Sequence, residues 1–292
     1  MESQPRFFST KSGLQIAYEE YGALDGEPVI FCHGWPGSRL QAALADDAAR
    51  ELGLRIISPD RPGLARSQFQ PQRTLLDWPP LVAELAQSLG IERYRLFGIS
   101  GGGPYALATA WANREAVKAA VIASGAVPLA DLAPGDGLFA VYRLLINLHR
   151  KNPALVRLMM RAASPLVTMP LPRGIRARMI SMQDPIDRNA FNSHPVACDI
   201  CFRNNREAWS NARGAAHDGA LYAEPWGFSP GEIRVPVRFW HGKKDSRFSW
   251  QLAAQLASGI PCSSTHFIDG EGHNSLPITR MRDILADLKN AA

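Results

Sequence analysis

The chain has 292 residues, 46% of them apolar and 20% charged, which is enough apolar material for a buried sheet and gives no sign of disorder. Its net charge is +5, yet the Lys and Arg residues form no run of five or six like charges, so a nucleic-acid partner is not expected. No apolar run is long enough to span a membrane.

The four cysteines, Cys32, Cys198, Cys201 and Cys262, have no dense disulfide spacing. The first residues lack the basic start, apolar centre and cleavage site of a secretory signal, so a cytoplasmic location under reducing conditions is expected.

In chain order, residues 14–21 and 6–9 are expected to form an antiparallel edge hairpin. Short apolar runs then end in turn residues at 29–32, 55–58, 94–98, 119–123, 237–240 and 265–268, the pattern of strands buried on both faces. Helical periodicity appears between them at 75–89, 104–111, 250–256 and 277–288. This alternation predicts an α/β fold with right-handed crossovers and a mostly parallel central sheet flanked by helices. From 127 to 232 the alternation stops, and the sequence turns helical, Met-rich and punctuated by Pro165, Pro170, Pro172, Pro185 and Pro195. The expected organisation is core residues 1–126, an all-helical cap at 127–232 and core residues 233–292.

Gly98-Ile99-Ser100-Gly101-Gly102 matches G-x-S-x-G, a weak signal alone. Here it follows a predicted strand and opens an alanine-rich helix, the strand-turn-helix setting that presents a nucleophilic serine. Glycines two residues to either side answer the need for close packing around such a turn. A serine hydroxyl needs a base, and a histidine base needs a carboxylate on its other nitrogen.

His273 lies in a loop at the carboxyl edge of the sheet, just after the last predicted strand. Asp245 lies five residues beyond the strand at 237–240 and is the expected carboxylate. Asp269 and Glu271 are too close along the chain to orient His273. The expected oxyanion donors are the backbone N–H groups of Gly101 and Trp35, the latter in His33-Gly34-Trp35-Pro36-Gly37-Ser38. His33 is read as a brace for that loop. Asp60 is expected to stabilise a proline-glycine turn.

With these residues in place, the chain resembles the α/β-hydrolase superfamily over nearly its whole length, in its serine-nucleophile branch with a helical cap. The matching blocks are His33-Gly-Trp-Pro-Gly-Ser, Asp60-Arg-Pro-Gly-Leu-Ala-Arg-Ser67, Gly98-Ile-Ser-Gly-Gly-Gly-Pro, His241-Gly-Lys-Lys-Asp and Gly272-His-Asn-Ser. The first is similar to that of epoxide hydrolases and haloalkane dehalogenases, but those relatives carry an aspartate where Ser100 stands. The resemblance implies a serine hydrolase acting on a carboxylic ester or lactone through Ser100, Asp245 and His273. The alternatives are carbon–carbon bond hydrolysis with the same residues, or a receptor-like protein with little turnover.

No cofactor motif is present, and the pair Cys198 and Cys201 lacks the second pair a structural zinc site needs, so neither cofactor nor metal is expected. The cap residues Met159, Met160, Met169, Met179 and Met182 are read first as the cap's own core and second as the lining of an adaptable apolar pocket. The expected partner is a small ester-like molecule with an apolar portion, and the sequence sets no oligomeric state.

Overall fold

The computed structural model describes residues 4–130, 132 and 137–291. Eight strands form one sheet: β1 (Arg6–Ser9), β2 (Gln15–Gly22), β3 (Glu27–Cys32), β4 (Leu54–Pro59), β5 (Tyr94–Ile99), β6 (Val117–Ala123), β7 (Val237–Gly242) and β8 (Ser263–Ile268). Their order is β1-β2-β4-β3-β5-β6-β7-β8. The expected hairpin is present, with Phe7 opposite Ala17, and β2 continues antiparallel against β4. From β4 to β8 every pairing is parallel.

Parallel strands need crossovers, and these are α1 (Asp46–Glu51), α2 (Trp78–Ser88), α3 (Gly103–Ala112) and α10 (Trp250–Ser258). Two helices, α11 (Ser275–Thr279) and α12 (Met281–Asn290), close the chain. The single helix expected at 277–288 is therefore two, divided at Arg280, whose φ of −116° leaves helical geometry.

Both faces of the sheet are covered, so consecutive strand residues enter different cores. On one side Ile30, Cys32, Leu96, Ala120 and Ile122 pack with Val82, Leu85 and Leu107 of α2 and α3. On the other, Val29, Phe31, Phe97, Val121 and Ala123 pack with Ala49 of α1 and Ile284, Leu285 and Leu288 of α12. All five residues of this second strand group are fully buried. At about 25 cal/mol per Å² of apolar surface removed from water, this burial is the main favourable contribution to folding. The start of α2 is fixed locally, since Thr74 donates its N–H and its hydroxyl to Asp77 at 2.7 and 2.8 Å, just ahead of Trp78-Pro79-Pro80.

Between β6 and β7 the chain leaves the sheet for six helices among the described residues: α4 (Ala140–Lys151), α5 (Pro153–Thr168), α6 (Arg173–Ser181), α7 (Pro185–Ser193), α8 (Pro195–Ala208) and α9 (Ala212–Leu221). The expected cap range, 127–232, also takes in residues 131 and 133–136, which lie outside the described residues. Helix α9 is seated closely on the core. A Cβ at Gly214 would fall 1.6 Å from the Gly63 carbonyl oxygen, and one at Gly219 would fall 2.6 Å from the Trp35 ring.

Candidate active site

Ser100 stands in the turn between β5 and α3 with φ of +51°, a left-handed conformation that costs energy for any residue with a side chain. The flanking glycines make the turn possible. A Cβ at Gly102 would sit 1.8 Å from the Cys32 carbonyl oxygen, and one at Gly98 would sit about 3 Å from Gly102, Gly103 and Ala106. The turn holds Ser100 at the amino end of α3, where the helix dipole favours negative charge.

The loop after β8 brings His273 to Ser100, and the loop after β7 brings Asp245 to His273. His273 Nε2 is 3.0 Å from Ser100 Oγ, and His273 Nδ1 is 2.8 Å from Asp245 Oδ2. Asp245 Oδ1 accepts from the N–H groups of Arg247 and Phe248 at 2.8 and 3.1 Å. His241 Nε2 lies 3.1 Å from Asp245 Oδ2 and 2.9 Å from the Phe248 carbonyl. A carbonyl only accepts, so that nitrogen carries a proton it can share with the carboxylate. Burial would raise the Asp245 pKa, but His273 and the hydrogen bond from His241 outweigh it and hold the carboxyl well below the usual range.

Glu271 and Asp269 are engaged elsewhere. Glu271 accepts from Ser275 and Thr279 at 2.6 and 2.7 Å, and Asp269 pairs with Lys243 at the surface.

The two expected backbone donors are neighbours. A Cβ at Gly101 would lie 3.0 Å from Trp35 N, and one at Gly34 would lie 3.4 Å from Ser100 Cβ. The Trp35 side chain donates to the Ala215 carbonyl of α9 at 2.9 Å, while the Gly34 N–H donates to Gln41 Oε1 at 2.6 Å. His33 is fully buried, its Nδ1 2.9 Å from the Gly34 carbonyl oxygen and its Nε2 accepting the Arg61 N–H at 3.3 Å. Burial, reinforced by Arg61, pushes its pKa well below the ordinary value, which suits a neutral brace.

Three residues hold this constellation: Arg61, for which the sequence indicates no catalytic role, and Asp218 and Asp187, which it does not single out. Arg61 is fully buried and donates to the carbonyls of His33 and Gly34, the latter at 2.9 Å, and to Asp218 Oδ2 at 2.8 Å. Asp218, from α9, also accepts from Arg73 and from the Tyr105 hydroxyl, the latter at 2.7 Å. Asp187, from α7, accepts from the N–H groups of Asn274 and Ser275 at 3.0 and 2.9 Å, fixing the residues that follow His273. The cap thus grips both loops that face Ser100.

Asp60 acts beyond its own turn, accepting from Arg39 N and Nη1 and from Arg66 N.

Ser100 lies where two cavities meet. One, of about 260 Å³, is lined by Leu129, Leu145, Ile146, Val156, Met160, Ala163, Ala220 and Phe248. The other, of about 140 Å³, is more polar, with Gln41, Asn205, Arg247, His273 and Asn274. Met159 and Met160 therefore line the apolar cavity, whereas Met169, Met179 and Met182 stand exposed and form no cap core. Cys198 is buried and Cys201 half-buried, both as free thiols. No group of three or more His, Cys, Asp or Glu side chains suited to a metal occurs among the described residues. No helix is long and apolar enough to cross a membrane among them either.

Residues 27–166 match the family described as alpha/beta hydrolase fold. The chain is 35% identical over 141 residues to a non-heme chloroperoxidase of Streptomyces lividans, an alignment covering 44% of this chain and 49% of that protein. It is 30% identical over 131 residues to a bifunctional esterase/perhydrolase of Acinetobacter calcoaceticus, covering 42% and 45%. The chain thus spans about half the length of these curated relatives. Among solved structures, it superposes on a thermophilic esterase from Thermogutta terrifontis with a TM-score of 0.69 at 21% identity, covering 98% of this chain and 97% of that one. The sheet order, the serine turn leading into α3, the family match over residues 27–166 and the whole-chain superposition agree: the chain has the α/β-hydrolase fold.

Proposed function

We propose that this protein is a serine hydrolase that cleaves a carboxylic ester or lactone through an acyl-Ser100 intermediate. The observation that carries the reading is the continuous chain of contacts from Ser100 to His273 to Asp245, opening onto an apolar cavity. In this reading Ser100 Oγ attacks the carbonyl carbon as His273 Nε2 takes its proton. The negative oxygen that develops lies against the N–H groups of Gly101 and Trp35. Asp245 keeps the useful tautomer of His273 and stabilises its charged form. Collapse expels the alcohol oxygen, which receives the proton from His273. Water then attacks the acyl-serine by the same route, releasing the acid and regenerating Ser100.

The two cavities support a division of the substrate, with an apolar acyl or aromatic group on the Leu145 and Met160 side and the alcohol portion beside Gln41 and Asn205. The names of the two curated relatives favour one extension, in which hydrogen peroxide in place of water would take the acyl group and give a peracid. The test is turnover of p-nitrophenyl esters of graded acyl length and of acyl lactones, with and without hydrogen peroxide. Sustained turnover that is lost in Ser100→Ala is expected. Folded protein that turns over none of them would contradict the ester reading.

A further inference from the structure

Thirteen large apolar side chains stand exposed among the described residues, and eleven of them lie between positions 141 and 196. Scattered exposed apolar residues are ordinary, whereas a concentration of them marks an interaction surface. Leu144 of α4 is 65% exposed, Leu158 and Leu166 of α5 are 63% and 71%, and Met182 after α6 is 75%. On α5 the exposed positions 155, 158, 159, 162 and 166 recur at helical spacing, so they form one outward stripe. Val156 of the same helix is buried and lines the cavity.

The charge of this segment is one-sided. Residues 141–196 contain nine Lys and Arg against two acidic residues, Asp184 and the buried Asp187, so the rest of the chain, with 23 basic and 25 acidic residues, is slightly acidic. Lys151, Arg157, Arg161, Arg173 and Arg178 are exposed, and none pairs with a carboxylate among the described residues. Apolar residues separate these cations along the chain, which is why no charge run marks them in the sequence.

We propose that the outer surface of α4 and α5 docks the protein on a membrane surface rich in anionic phospholipid. Leucine and methionine side chains enter the boundary between headgroups and acyl chains, while Lys and Arg meet the lipid phosphates. A second copy of the chain is the weaker occupant, because two-fold pairing would bring the same cations face to face. A nucleic acid would leave the apolar stripe without a role. Met159 is 48% exposed and also lines the apolar cavity, so the docking surface and the cavity are continuous at that residue. Docking itself does not depend on the hydrolase reading.

The test is co-sedimentation of the full chain with vesicles of phosphatidylcholine alone or with about one third phosphatidylglycerol, alongside light scattering for mass. Binding to the anionic vesicles only, weakened at about 0.5 M salt, is expected. Arg157→Gln with Arg161→Gln should lower the partition coefficient about thirtyfold at unchanged thermal stability. Leu158→Ser with Leu166→Ser should lower it at least about tenfold. Equal binding to neutral vesicles, binding to neither, or a dimer that the leucine variant dissolves would each overturn the proposal.

Discussion

Asp218→Ala removes the carboxylate shared by two buried guanidinium groups. Asp218 and Arg61 are fully buried and Arg73 nearly so, and neither arginine has another carboxylate partner among the described residues. Deleting one partner of a buried ion pair costs about 3–5 kcal/mol, because the remaining charge stays desolvated and uncompensated. The Tyr105 hydroxyl loses its acceptor as well. For a chain of this size, about 2–4 °C per kcal/mol gives a Tm lowered by about 6–20 °C.

Burial raises the Asp218 pKa, but Arg61 and Arg73 outweigh it and hold the carboxyl well below the ordinary value. A depressed folded pKa gives stability that is fully present above the unfolded value near 4 and is lost only as pH falls through the folded one. The deficit of the variant, followed by circular dichroism, should therefore be the same at pH 6 and pH 8. A shift below about 2 °C, or a deficit that disappears at pH 6, would refute the assignment of Asp218 as the charge that compensates both arginines.

Gly102→Ala should abolish soluble expression or lower Tm severely, because its Cβ would meet the Cys32 carbonyl at 1.8 Å, whereas Gly174→Ala, with nothing within 4 Å, should be close to neutral. His33 should remain neutral by NMR as pH falls through the ordinary histidine value near 6.5. Since its folded pKa lies below the unfolded one, its contribution to stability is present at high pH and falls by about 1.4 kcal/mol per unit below about pH 6.5. Urea unfolding of the wild type and His33→Gln across that range measures the difference. Ala220→Leu narrows the apolar cavity and should slow long-chain acyl esters by about tenfold or more while sparing acetate esters, read as kcat/KM over the ester panel.

The sheet was legible because strands buried on both faces must be continuously apolar, as in 29–32 and 119–123, and because turn residues bound each run. Ser100 and His273 were legible because a strained turn and a strand-end loop leave glycines at fixed offsets. Asp245 followed from chain order and the preceding strand. Strand order was less accessible, since nothing local in β2 says that it pairs with β4 rather than β3.

Asp187 and Asp218 left no sequence signal. Each sits in an ordinary helical stretch of the cap and meets its partners across 87 and 157 residues, so its burial depends on docking that no local pattern records. Arg61 stood inside a recognisable turn, but its grip on the His33 and Gly34 carbonyls is visible only once β3 and β4 lie side by side. The outward methionines failed the core expectation because α4 and α6 bury no residue and α5 buries Val156 alone, so these helices enclose no interior for Met169, Met179 and Met182 to enter.

Reaction with a fluorophosphonate, followed by mass spectrometry, tests the central claim most directly, using wild type, Ser100→Ala and Asp245→Asn. The account predicts stoichiometric phosphonylation at Ser100, none in Ser100→Ala, and labelling slowed by about 10³–10⁴-fold in Asp245→Asn, where His273 is left in the wrong tautomer. Labelling at another residue, or an unlabelled Ser100 in folded wild-type protein, would contradict it.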